Sequence, residues 1–123
     1  MHASKDTLPA ETMGDSYEGR FADWGEYTGY FESIKGGTDF SPLFVGLPDD
    51  SCQCPHWGYL FKGKLRFIYK DHDEVISAGE AYYAPPGHKT ECLEDAETVE
   101  FSPMAEFQHT MEVAAKNLEA QAH

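Results

Sequence analysis

Turn signals come so often in the middle of this chain that only short strands fit between most of them. Gly36-Gly37, Pro48-Asp49-Asp50, Gly63-Lys64, Asp71-His72-Asp73, Gly79-Glu80 and Pro85-Pro86-Gly87 punctuate it at close spacing. The intervening residues are rich in β-formers. Strands are predicted around Tyr27, Tyr30 and Phe31, then over Ser41 to Leu47, Cys52 to Lys62, Lys64 to Lys70, Glu74 to Ser77, Ala81 to Ala84 and Glu97 to Phe101. Lys64 to Lys70 alternates, with Leu65, Phe67 and Tyr69 on one face and Arg66, Ile68 and Lys70 on the other. Many short strands with turns between them make a sandwich or a barrel.

The ends read differently. Residues 1–18 mix Ser, Asp, Pro and Gly without periodicity, which predicts a flexible N-terminal arm ahead of a barrel domain over 19–123. Ser102 is placed to cap a helix with Pro103 at its first position, predicted over 103–120. Met104, Phe107, Met111, Ala114 and Leu118 recur at three- and four-residue steps, giving that helix an apolar stripe for the barrel or a second subunit. The 123 residues suffice for one domain, and at 41% hydrophobic they can build its core.

Charge narrows the partners. Nine basic residues against 22 acidic ones leave a formal charge of -13. Nucleic acid and anionic membrane surfaces are excluded, since no basic stripe exists to displace counterions. A neutral or cationic small molecule fits better than a phosphate. No segment has membrane-spanning length or a signal-peptide core, and the three cysteines do not form a disulfide framework, so a reducing cytoplasm is expected.

Two segments carry a family resemblance. Gly79-Glu80-Ala81-Tyr82-Tyr83-Ala84-Pro85-Pro86-Gly87 matches the opening of the second cupin motif, and Gly63 matches the end of the first. With CQCPHWGYLFKGKL, PPGH and VEFSP before the helix, residues 21 to 120 resemble small actinobacterial single-domain cupins. The resemblance implies an all-β, double-stranded β-helix (jelly-roll) barrel with a C-terminal amphipathic helix. It also implies a departure at the metal site. His56 stands where the family has a metal-binding Glu, the usual His-x-His pair falls on Asp50 and Cys52, and the second motif's His position holds Thr90, with His88 two residues earlier.

The expected cavity is therefore lined by Cys52, His56, Tyr82, His88 and Thr90. Thiolate and imidazole together suit zinc or another borderline-soft divalent metal, with His56, Cys52 and His88 as the ligands. Alternation sends Gly58 and Leu60 inward with His56, and Trp57, Tyr59 and Phe61 outward. Of Tyr82 and Tyr83, one should face the cavity. His2, His72, His109 and His123 are read as surface residues, and Cys92 as a partner open to a disulfide with Cys52 or Cys54. The expected function is small-molecule binding in a homodimeric barrel. The alternatives are a metal-dependent dioxygenase or isomerase, and a non-catalytic sensing or assembly module.

Overall fold

Two long strands carry the architecture. The computed structural model describes residues 1–121, and within it β4 (His56–Ile68) and β7 (Lys89–Pro103) run antiparallel along most of their length. The other strands are β1 (Glu11–Met13), β2 (Tyr17–Trp24), β3 (Tyr27–Ile34), β5 (Asp73–Ser77) and β6 (Ala81–Ala84). The sheet order is β1-β2-β3-β7-β4-β5, with β6 also on β4, and every pairing is antiparallel. A single helix, α1 (Met104–Gln121), follows β7 directly.

Inward residues fill the barrel. Leu60, Leu65 and Phe67 of β4 meet Ile34, Ile76 and Ala96, all nearly without exposure. Burying each of the larger side chains stabilises the fold by about 2 kcal/mol. A second cluster of Phe44, Leu47, Cys52 and Cys54 lies at one end of the barrel, packed by Phe107 and Val113 of α1. The apolar stripe of α1 thus finds its partner inside the same chain. Asn117 fastens the helix by donating from Nδ2 to the carbonyls of Leu43 (2.7 Å) and Val45 (2.9 Å).

Several expected elements take another form. Ser41 to Leu47 is no strand: a 3-10 turn spans Ser41–Phe44, because Pro42 lacks an N–H for a ladder and holds φ near the helical value. The segment read as a loose arm contains β1 and the start of β2, tied by Glu11↔Gly19 and Met13↔Tyr17. The chain does not turn at Gly63, since β4 passes through it. Glu97 to Phe101 is only part of the second half of β7, whose ladder to β3 continues through Ser102 and Pro103. The helix starts at Met104, and Ser102 turns a fully buried hydroxyl inward rather than capping it. Cys52, Cys54 and Cys92 are all free thiols and all buried. His2, His72 and His109 are exposed, while His123 lies outside the described residues.

Candidate metal centre

Backbone pairing brings two separate loops together. The amide of Cys52 donates to the His88 carbonyl at 2.7 Å, and the Gly87 amide returns a bond to the Cys52 carbonyl at 2.7 Å. That isolated bridge sets Cys52 beside His88. Pro55 then leads into β4, whose first residue is His56, and strand alternation turns His56 inward while Trp57 stays 42% exposed. The Cys52 Sγ lies 3.7 Å from His56 Nε2, and the His56 and His88 rings are 4.9 Å apart. Ligand atoms of Cys52, His56 and His88 all lie within 4.8 Å of one another. Metal–ligand bonds of roughly 2.0–2.3 Å need donors somewhat closer than that, within reach of small side-chain shifts.

Hydrogen bonds fix what each imidazole presents. His88 is wholly buried, and its Nδ1 lies 2.7 Å from the Pro85 carbonyl. A carbonyl only accepts, so Nδ1 carries the proton and Nε2 carries a lone pair. That Nε2 has no partner among the described residues. An unpaired buried polar atom is costly, on the order of 1–3 kcal/mol, and a backbone-anchored histidine with its other nitrogen free is the usual posture of a metal ligand. His56 is held similarly. Tyr30 donates to Glu100 Oε1 at 2.7 Å, so its oxygen accepts from His56 Nδ1 at 3.0 Å, with Ser102 Oγ 2.8 Å from the same nitrogen. His56 Nε2 is left as the acceptor facing Cys52.

Electrostatics agree with a neutral donor set. Burial lowers both His56 and His88 to about 4, so neither is protonated near neutrality. Burial pushes the Cys52 thiol up to about 12, where it stays protonated until a positive charge arrives. A bound ion would supply that charge, and Cys52 would then hold it as a thiolate. The residues therefore fit a borderline-soft ion and not the carboxylate-containing set of the standard cupin site.

The other candidates fall elsewhere. Tyr82 is buried, but its hydroxyl donates to Glu100 Oε2 and lies 2.8 Å from Thr98 Oγ1, behind the cluster rather than in it. Tyr83 faces out and is 49% exposed. Thr90 pairs with Phe67 across the β4–β7 ladder and lines the adjoining cavity without joining the ligands. Four interior polar residues, Tyr30, Glu32, Glu100 and Ser102, went unnoticed in the sequence. The signal was there as alternation, Thr28-x-Tyr30-x-Glu32 and Thr98-x-Glu100-x-Ser102, once β3 and β7 are known to face the cavity.

Next to the cluster lies a cavity of about 180 Å3. Cys52, His56 and Glu100 form its polar side, Phe40, Phe67 and Phe107 its apolar walls, and α1 covers it through Thr110 and Ala114. Mostly apolar walls with a few convergent polar groups are the usual form of a small-molecule site.

A cupin described as RmlC-like from Shewanella frigidimarina NCIMB 400 superposes with a TM-score of 0.61 at 12% identity, covering 82% of this chain and 87% of that one. The chain has the cupin fold. KdgF from Halomonas sp. matches at 0.58 with 18% identity over 81% of this chain and 92% of its own. The polyketide cyclase RemF from Streptomyces resistomycificus gives 0.61 at 13% identity, over 84% and 78% respectively. No protein-family model matches the sequence, and no curated protein does. At these identities the shared property is the barrel.

The buried groups make the metal-free protein pH-sensitive in two directions. The histidines sit below their usual 6.5, so the unfolded chain takes up protons that the folded one refuses. Their stabilising contribution is full above pH 6.5 and is lost as pH falls toward 4. Glu32 is pushed from 4.5 up to about 8, by burial first and by Glu100 second. Its contribution is full below 4.5 and is lost as pH rises toward 8. Burial raises Glu100 as well, so thermal melts of metal-free protein are expected to peak between about pH 5 and 6.5 and fall on both sides. A flat melting profile from pH 4.5 to 8 would contradict the burial of these groups.

Proposed function

We propose that this barrel holds zinc or another borderline-soft divalent ion through Cys52, His56 and His88, and binds a small organic molecule in the cavity beside it. The observation that carries this reading is the buried Nε2 of His88, without a partner among the described residues, in a residue whose ligand atom lies within 4.8 Å of those of Cys52 and His56. Three protein ligands leave a coordination position open, the arrangement of catalytic rather than structural zinc sites. That open position beside a cavity supports a ligand that touches the ion, and keeps a metal-dependent enzyme as the second reading. Tyr30, Ser102 and Glu100 orient His56, and α1 excludes water from the cavity. The ion, when bound, would supply Lewis acidity. Elemental analysis of protein purified without a histidine tag tests this. About one equivalent of metal, absent from His56→Ala, is expected, and a preparation that neither carries nor takes up zinc overturns the reading.

The outer face supports a homodimer. Tyr27, Trp57, Tyr59, Phe61, Tyr83 and Phe101 are each 39–56% exposed on adjoining strands, and Trp57 stacks on Tyr83 with ring centroids 5.0 Å apart. An apolar patch of this kind on a sheet face usually marks a partner, and a two-fold contact lets one patch cover its own copy. Trp57→Arg is expected to give a folded monomer by light scattering where the parent is a dimer. A monomeric parent at micromolar concentration would end the proposal.

A further inference from the structure

The cavity's second carboxylate has no counterion. Glu32 of β3 lines the space, two residues along the strand from Tyr30 and so roughly 7 Å from the level of the His56 hydrogen bonds. Its Oε2 accepts from the Tyr17 hydroxyl, and among the described residues Oε1 has no donor. Glu100 is different, because Tyr30 and Tyr82 occupy both of its oxygens. Among the described residues no lysine or arginine pairs with either carboxylate: Lys5, Arg20, Lys64 and Arg66 all pair with surface acids. Glu100 is thus buried and Glu32 half-buried beside it, and neither meets a lysine or arginine among the described residues, so ionising either one is costly unless something supplies the charge or a proton.

We infer that the cavity takes a compact organic cation, an ammonium compound whose charged nitrogen pairs with Glu32 and whose apolar body packs against the aromatic walls. This rests on the small-molecule reading above and names the ligand's chemistry. The walls suit it: Phe40 and Phe107 stand with Ile34 and Leu65 around the space, and aromatic faces attract cations as well as apolar groups. The size suits it too, since about 180 Å3 equals roughly six waters at ~30 Å3 each. An anion of the same shape would meet two acids and a surface of net charge -13. A neutral isostere would gain the apolar contacts and leave Glu32 unpaired.

Calorimetric titration with matched probes tests the assignment. Primary amines from propylamine to benzylamine are to be compared with the alcohol and carboxylate of the same skeleton. At least one amine is expected to bind tenfold or more tighter than its alcohol, with the carboxylate weakest. Glu32→Gln keeps the shape and cannot ionise to meet the ammonium, so it should abolish the amine preference while retaining the alcohol's affinity. The metal-free His88→Ala variant should keep the preference, which separates pairing to Glu32 from coordination of an amine to the ion. If no amine exceeds its alcohol, or if Glu32→Gln retains the preference, the inference falls whatever the metal content. Should Glu32→Gln not fold, the comparison of probes on the parent protein still decides.

Discussion

Zinc added to metal-free protein is expected to raise its melting temperature by roughly 15 °C, and His88→Ala is expected to erase that rise. Binding to the folded state alone stabilises by about 4 kcal/mol when free ion exceeds its dissociation constant a thousandfold. For a domain of this size each kcal/mol moves the midpoint by about 4 °C. The cluster can deliver such affinity because binding would ask only for small side-chain shifts and loss of the Cys52 proton. The Cys52–His88 bridge holds two ligands in register, and the Pro85 carbonyl fixes the His88 tautomer. Removing His88 costs the ion a ligand yet relieves the one histidine nitrogen buried without a partner among the described residues. The metal-free midpoint of His88→Ala falls as well, because the buried ring and its bond to the Pro85 carbonyl are lost, so the readout is the zinc-dependent rise within each variant. Cys52→Ser should also lose the zinc response, because a serine oxygen is a poor match for a soft site. An equal zinc-dependent rise in parent and His88→Ala, measured by differential scanning calorimetry, would exclude this cluster.

The barrel was legible because turn residues and alternation are local signals, and both motif glycines fall where the backbone needs them. Gly79 and Gly87 have φ of +89° and +94°, which other residues adopt with strain. The inward set of His56, Gly58 and Leu60 was legible for the same reason. Pro42 inside an apolar run was misread, since apolar content says nothing about whether a segment pairs or merely packs under a helix. Ser102 was misread because a Ser-Pro step before a helix is a cap signal whether or not a strand runs through it. Glu32 and Glu100 were invisible as site residues. In a chain with 22 acids, nothing local distinguishes a carboxylate that faces a cavity from one that faces water. Only pairing register does so: Glu100 lies opposite Tyr30 and Gly58, both on the inner side.

Gly58 itself leaves room for that network, since a Cβ there would stand 2.6 Å from the Tyr82 hydroxyl that reaches Glu100. Gly63 has the larger structural consequence, and Gly63→Ala is expected to destabilise the protein by about 3–5 kcal/mol. The reason lies in parity. In the first half of β4 the even-numbered residues face inward, ending at Leu60, which is fully buried. In the second half the odd-numbered Leu65 and Phe67 are buried instead. Leu65 lies five positions after Leu60, an odd step, so strict alternation would put one of them in water. The slip begins at Phe61 and Lys62, both exposed, and the ladder to β7 keeps shifting register as far as Leu65. Such a bulge bends the strand and lets one continuous β4 serve both ends of the barrel. Gly63 follows immediately with φ of +87°, facing the β7 backbone, and a Cβ there would stand 2.2 Å from the Asp95 carbonyl oxygen. Left-handed backbone alone costs a non-glycine residue about 1–2 kcal/mol, and the collision forces β7 to move as well. Gly79 provides the control, because its φ of +89° is nearly the same while a Cβ would meet nothing within 4 Å. Urea unfolding should therefore show Gly79→Ala losing only the conformational part, about 1–2 kcal/mol, and Gly63→Ala losing at least twice as much. If the two losses are equal, β7 does not press on Gly63, and the register slip that buries both Leu60 and Leu65 has another origin.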